Sequence, residues 1–207
     1  MTTEYLLGLV VLVLSLSWTP GPNNTLLAAS AARFGYVRTL PHLIGTVGGF
    51  GVMIFLIGLG LSEVFQTYPL IREILRFVGA AILLWIAFKV ATSPLPTGER
   101  RETDKPWTPA RAAAFQWINP KGWMMAISLV GSAPQTSPTW LSPLIVAAVV
   151  MGIGATSANG WALFGKALQR FLSTPLRFRV FNFVMAALIV LTVVGILFAD
   201  LSGKAAH

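Results

Sequence analysis

The sequence predicts an all-α integral membrane protein: six transmembrane helices forming two inverted three-helix repeats, with helices 1 and 4 broken. Three observations predict it. Of the 207 residues, 55% are hydrophobic and only 11% charged, where a soluble domain carries about 25% charged residues. The charges gather between six long apolar runs that hold almost none. They have reason to, because a charge at the bilayer centre costs about 2.5–3.5 kcal/mol. Finally, two of the runs are interrupted by proline near their middles, and proline removes a backbone donor from a helix.

Taken in order, the first run extends from Glu4 to Arg33 and is interrupted at Pro20-Gly21-Pro22. Met1 to Tyr5 carry no Lys or Arg, unlike the basic start of a cleaved signal, so this run reads as a retained helix. The second, Leu40 to Leu61, is rich in glycine, and Gly45 with Gly49 forms a small-xxx-small pair suited to close helix contact. The third is Ile71 to Ala91. Residues 92–109 follow as the one long hydrophilic stretch, with prolines and mixed charges such as Glu99, Arg100, Arg101, Glu102, Asp104 and Lys105. They read as a flexible cytoplasmic linker. The fourth run is Ala110 to Gly131, interrupted at Asn119-Pro120; the fifth is Leu141 to Leu163 and the sixth Val180 to Ala199. At about 1.5 Å per residue, each is long enough for a hydrocarbon core about 30 Å thick. The whole chain, 1–207, is a single domain, with halves of about 1–91 and 110–200.

The halves show a trace of each other. Pro22 to Ser30 laid over Pro120 to Ser128 aligns proline, alanine and serine, and sets Leu26-Leu27 against Met124-Met125. On that stretch alone, a repeat and coincidence both stay open. Three spans per half would invert one half relative to the other. Lys and Arg cluster after runs one, three and five, with only Arg72, Arg76 and Lys204 on the opposite side and Lys121 within run four. The positive-inside rule then puts both termini outside the cytoplasm.

Chemistry concentrates at the two breaks. Pro20, Gly21 and Pro22 divide the first run into half-helices, which bares carbonyls around Ser15 to Trp18 and N–H groups around Asn23 and Asn24. Asn119, Pro120 and Lys121 repeat the pattern in run four. Broken backbone in lipid has to be buried in protein or line a wet cavity. Two half-helix N-termini at mid-membrane, each with roughly half a positive charge, together with Lys121 make a site for a carboxylate. An ammonium group could use the carbonyls of Ser15 and Ser17. No acidic residue lies deep in a run, since Glu4, Glu63, Glu73 and Asp200 fall near run ends. A small neutral amino acid is therefore expected as substrate in preference to lysine or arginine. Asn159 in run five is a further candidate for the site, with an interhelical hydrogen bond as its alternative.

Plainer readings stand beside these. The Pro-Gly-Pro break could be a packing kink, and Lys121 could snorkel to the surface. His42 is expected to be a solvated interface histidine, a proton relay being the alternative. Asn23-Asn24-Thr25 matches a glycosylation pattern, discounted because it falls inside the membrane. The net charge of +8 sits in connecting loops, so it points to membrane orientation and not to nucleic acid. The chain has no cysteine, hence no disulfide or thiolate metal site. Neither a metal site nor a cofactor is expected. An intramembrane enzyme would need a base or metal ligands at depth, and none is there; a non-transporting scaffold or channel subunit would show no saturable substrate. The expected partners are the lipid bilayer and a small amino acid, and a homo-oligomer is compatible with such a chain.

The residues at the breaks resemble the LysE/RhtB family of amino-acid exporters. The likeness covers most of the chain in length and six-run layout, with Pro-Gly-Pro-Asn in the first run and Asn-Pro-Lys in the fourth. The stretch Pro20 to Asn24, Gly79-Ala80-Ala81 with Trp85 and Lys89, and Asn159 to Leu163 are most similar to its cysteine/O-acetylserine exporter branch. Thr39 departs from a glycine frequent in that family. The resemblance implies export across the inner membrane of a bacterium, driven by the proton gradient.

Overall fold

A computed structural model of the chain describes residues 1–61, 69–93, 105–134, 136–168 and 171–203. Among them every regular element is helical. Each expected run is found as one helix or a pair of helices. The first is α1 (Thr3–Trp18) followed by α2 (Pro22–Phe34). The second is α3 (Tyr36–Leu56), extended by a π-turn over Ile57–Leu61. The third is α4 (Pro69–Ala91). The fourth is α5 (Pro109–Gln116) with α6 (Pro120–Gly131). The last two are α7 (Leu141–Leu168) and α8 (Pro175–Gly203), joined through a short 3-10 turn at Phe171–Ser173. Expectations about residues 94–104, Glu63, Arg170, Lys204 and His207, and about the side chains of Arg72, Arg76 and Asp200, lie outside the described residues.

Local chemistry accounts for the ends. Among the described residues, five of the eight α-helices open on a proline, whose fixed φ and missing N–H suit the first helical turn. Thr2 caps α1 by accepting from the Tyr5 amide, and Thr108 caps α5 by accepting from that of Arg111, each at 3.3 Å. Gly35, at φ +83°, separates α2 from α3 in a left-handed conformation that other residues rarely take.

The stretches Tyr36–Gly60, Leu141–Leu168 and Pro175–Gly195 are long and apolar enough to cross a bilayer. The pair α1 and α2, bent by 53° at its break, makes a fourth if counted as one span. The apolar part of α4, Phe77–Ala91, is shorter, and α5 and α6 have 8 and 12 residues.

The helices pack with α3 and α7 at the centre. α7 lies along α1, α2 and α3, α3 also lies along α5, and α4 pairs with α8. One core joins α1, α3, α6 and α7 through Val13, Ile54, Leu129 and Val146; another joins α2, α4, α5 and α8 through Leu26, Leu83, Phe115 and Ile189. Large apolar side chains also face outward, among them Val11, Ile44, Val52, Phe88 and Leu191, as on a lipid-facing surface. Gly45 and Gly49 do what their spacing promises. A Cβ at Gly45 would overlap the carbonyl of Pro109, and one at Gly49 would come within 2.5 Å of Ala113 Cα, so α3 and α5 touch backbone to backbone.

His42 corrects an expectation. It is 2% exposed and not solvated at an interface. The helix α3 starts at Tyr36 and runs through Pro41, so His42 sits well inside it. Trp107, just ahead of α5, lies 5.1 Å from it, ring centroid to ring centroid.

Candidate functional site

The first break is three residues long, Thr19 to Gly21, between α1 and α2. A helix that stops leaves its last carbonyls without intrahelical donors. Here side chains from three helices supply them. Asn24 Nδ2 of α2 donates to the carbonyls of Ser17 (2.7 Å) and Thr19 (3.1 Å). Ser157 Oγ of α7 also donates to the Ser17 carbonyl, at 2.7 Å. Lys121 Nζ of α6 donates to the carbonyls of Thr19 (2.9 Å) and Pro20 (3.4 Å). The Ser15 carbonyl accepts from Thr19 itself, through both its amide and its hydroxyl. The Ser15 and Ser17 carbonyls, expected to be open to an ammonium group, are thus already engaged.

The second break runs from Trp117 to Asn119. Gln116, at the end of α5 and fully buried, forms a reciprocal amide pair with Asn23. Asn23 Nδ2 donates to Gln116 Oε1 at 2.8 Å, and Gln116 Nε2 donates back to Asn23 Oδ1 at 3.3 Å. The breaks, far apart in sequence, are therefore tied to each other twice, through Lys121 and through Gln116.

Both half-helix N-termini open into one cavity of about 70 Å³. Gly21, Pro22, Asn23 and Asn24 line it from α2 and its entry, Asn119, Lys121 and Gly122 from α6 and its entry, and Ser17, Thr46, Phe50 and Ser157 complete its polar and aromatic wall. Neither Gly21 nor Asn119 caps its helix with a side-chain hydrogen bond, which leaves the first amides of α2 and α6 without that partner. The macrodipoles add positive potential at the same place. Asn119 is 2% exposed with its Oδ1 unpartnered, and the buried Thr46 hydroxyl is also unpartnered. Among the described lining residues none is Asp or Glu.

Most of the expected residues converge here. Pro20 contributes its carbonyl, and Pro120 is the buried first residue of α6. Asn159 does not line the cavity. Its Oδ1 accepts from the Tyr36 hydroxyl and its Nδ2 donates to the Ala155 carbonyl at 2.8 Å, the interhelical alternative. Two residues along an α-helix turn it by about 200°, so Ser157 faces the cavity and Asn159 faces away. Gln116, Thr46 and Ser157 were not singled out by the sequence. A polar residue three positions ahead of Asn119, in a mostly apolar run, was the available signal for Gln116.

Residues 14–201 match a family model described as LysE type translocator. The chain is also 31% identical over 202 residues to the cysteine/O-acetylserine efflux proteins of Escherichia coli (strain K12), Escherichia coli O157:H7 and Shigella sonnei (strain Ss046). That stretch is 96% of this chain and 100% of each relative. No solved structure matches it.

Proposed function

We propose, for a chain that belongs to the LysE type translocator family and is therefore a multi-pass membrane transporter rather than an enzyme, that its cargo is a small neutral amino acid or a close derivative. It exports this cargo from the bacterial cytoplasm across the inner membrane, coupled to protons, through a midplane site at the two helix breaks. The relatives' names specify cysteine and O-acetylserine, both small molecules with an α-carboxylate and an α-ammonium.

One observation carries this reading: the N-termini of α2 and α6 line a single cavity that also holds Lys121. Amides, dipoles and an ammonium suit a carboxylate. The orphaned Asn119 Oδ1 and Thr46 Oγ1 suit the donor at the other end of the solute. Size points the same way. The cavity, at about 70 Å³, is a small one. An arginine side chain finds no carboxylate among the described lining residues.

The six-span inverted repeat is part of the same proposal. With α1 to α4 exchanged for α5 to α8, the contact of α3 with α5 becomes that of α7 with α1. The contact of α2 with α8 becomes that of α6 with α4, while α3 with α7 and α4 with α8 map onto themselves, and all of these contacts are made.

The test is efflux from proteoliposomes under an imposed pH gradient. Saturable flux of small neutral amino acids is expected, with arginine a poor competitor and flux lost without the gradient. Asn24→Ala and Lys121→Ala are each expected to lower the rate at least tenfold. Saturable transport that survives both changes would sink the site assignment.

A further inference from the structure

A second, larger cavity of about 450 Å³ lies at the other end of α2. Asn23 and Asn24 line the first cavity, while Ser30, Arg33 and Phe34 line the second. At about 1.5 Å per residue, Asn23 and Arg33 are about 15 Å apart along the helix. Four basic residues converge on this space from different elements: Arg33 of α2, Lys89 of α4, Arg111 of α5, and Lys105 ahead of α5. Among its described lining residues none is acidic. Aromatic rings hold the charges in position. The Arg111 guanidinium lies over Trp107, 4.6 Å from the ring centroid, and Lys89 Nζ lies 5.7 Å from that of Trp85. A cation–π contact orients a cation without neutralising it. The wall also holds His42, 2% exposed with neither ring nitrogen hydrogen-bonded. An orphaned buried imidazole facing a basic cavity calls for a polar partner.

We infer that this cavity is a carboxylate-binding vestibule, with Lys89 and Arg111 as its charged contacts and His42 as its hydrogen-bonding group. It holds the carboxylate of a small solute one helix length from the breaks. The onward passage of that solute along α2 rests on the export reading; binding in the vestibule does not. Residues of five helices line the space, among them two buried polar groups, His42 and Asn182, a build that suits a solute better than a lipid headgroup phosphate.

The probe is acetate, titrated into the full chain in phosphatidylcholine nanodiscs. The readout is the change in tryptophan emission that Trp107→Phe removes. Wild type is expected to respond saturably, more weakly as salt rises. Lys89→Gln with Arg111→Gln should weaken the response at least tenfold, and His42→Ala at least threefold. Lys89→Arg with Arg111→Lys should retain it. Lys166→Gln with Arg179→Gln, an equal charge loss outside the cavity, should leave it unchanged. The inference is overturned if acetate gives no response, or if both Gln pairs act alike. It is also overturned if adding phosphatidylglycerol abolishes the response, since the site then belongs to lipid. In efflux assays the Lys89/Arg111 Gln pair should raise KM at least tenfold with Vmax within twofold. Acetate binding without any wild-type efflux would refute the export reading and leave the vestibule standing, whereas efflux without acetate binding would do the reverse.

Discussion

Gly21 shows how closely single residues are fitted at the first break. Its backbone is extended, with φ −173°, a conformation alanine adopts without strain. Yet a Cβ there would come within 2.9 Å of both Cδ and Nζ of Lys121. Gly21→Ala is therefore expected to displace the ammonium from the Thr19 and Pro20 carbonyls. The fold should survive, because a lysine side chain can move, while transport falls at least fivefold. Wild-type flux in that variant would show that the position of Lys121 does not matter. The Asn23–Gln116 pair is the other link between the breaks. A double-mutant cycle with Asn23→Ala and Gln116→Ala should give a coupling of roughly 0.5–2 kcal/mol, the range of interhelical polar contacts in membranes. Additive losses in thermal stability would remove the pair from the account.

At the scale of elements, glycines set how near the helices come. A Cβ at Gly165 of α7 would overlap the carbonyl of Ala28 in α2, at a point where both neighbours are rigid backbone. Gly165→Ala should destabilise by about 1–3 kcal/mol, the usual cost of overpacking, read as a lowered Tm in detergent. An unchanged Tm would mean that α2 and α7 are free to separate. Helix positions were mostly legible in the sequence, since run length, proline at helix starts and the Gly45/Gly49 pair are local signals. The start of α3 was not. The run was expected from Leu40, whereas α3 begins at Tyr36 and continues through Pro41; a proline in the second turn forfeits only one hydrogen bond, and packing of α3 along α7 holds the helix together. His42, inside that helix, is buried beside Trp107.

At the scale of the whole molecule, the orientation expected from the basic loops is open to a direct test. The chain has no cysteine, so single cysteines report cleanly. With both termini outside, a cysteine at Thr2 should react with a membrane-impermeant maleimide added to intact spheroplasts, and one at Thr92 only after permeabilisation. Labelling in the opposite order would invert the proposed topology.

By itself the sequence determined that the chain is helical, which runs become helices, and that two of them break at proline. These follow from composition and from backbone groups that each residue carries wherever it lies. Only the tertiary structure decided who answers the broken backbone: Lys121, Asn24 and Ser157 take the carbonyls of the first break, Gln116 takes Asn23, and Asn159 turns away to Tyr36. In a membrane, apolar faces do not distinguish one helix partner from another. The partners of a polar group therefore depend on which helix lies across from it and how that helix is rotated, and neither is written in a local stretch of chain.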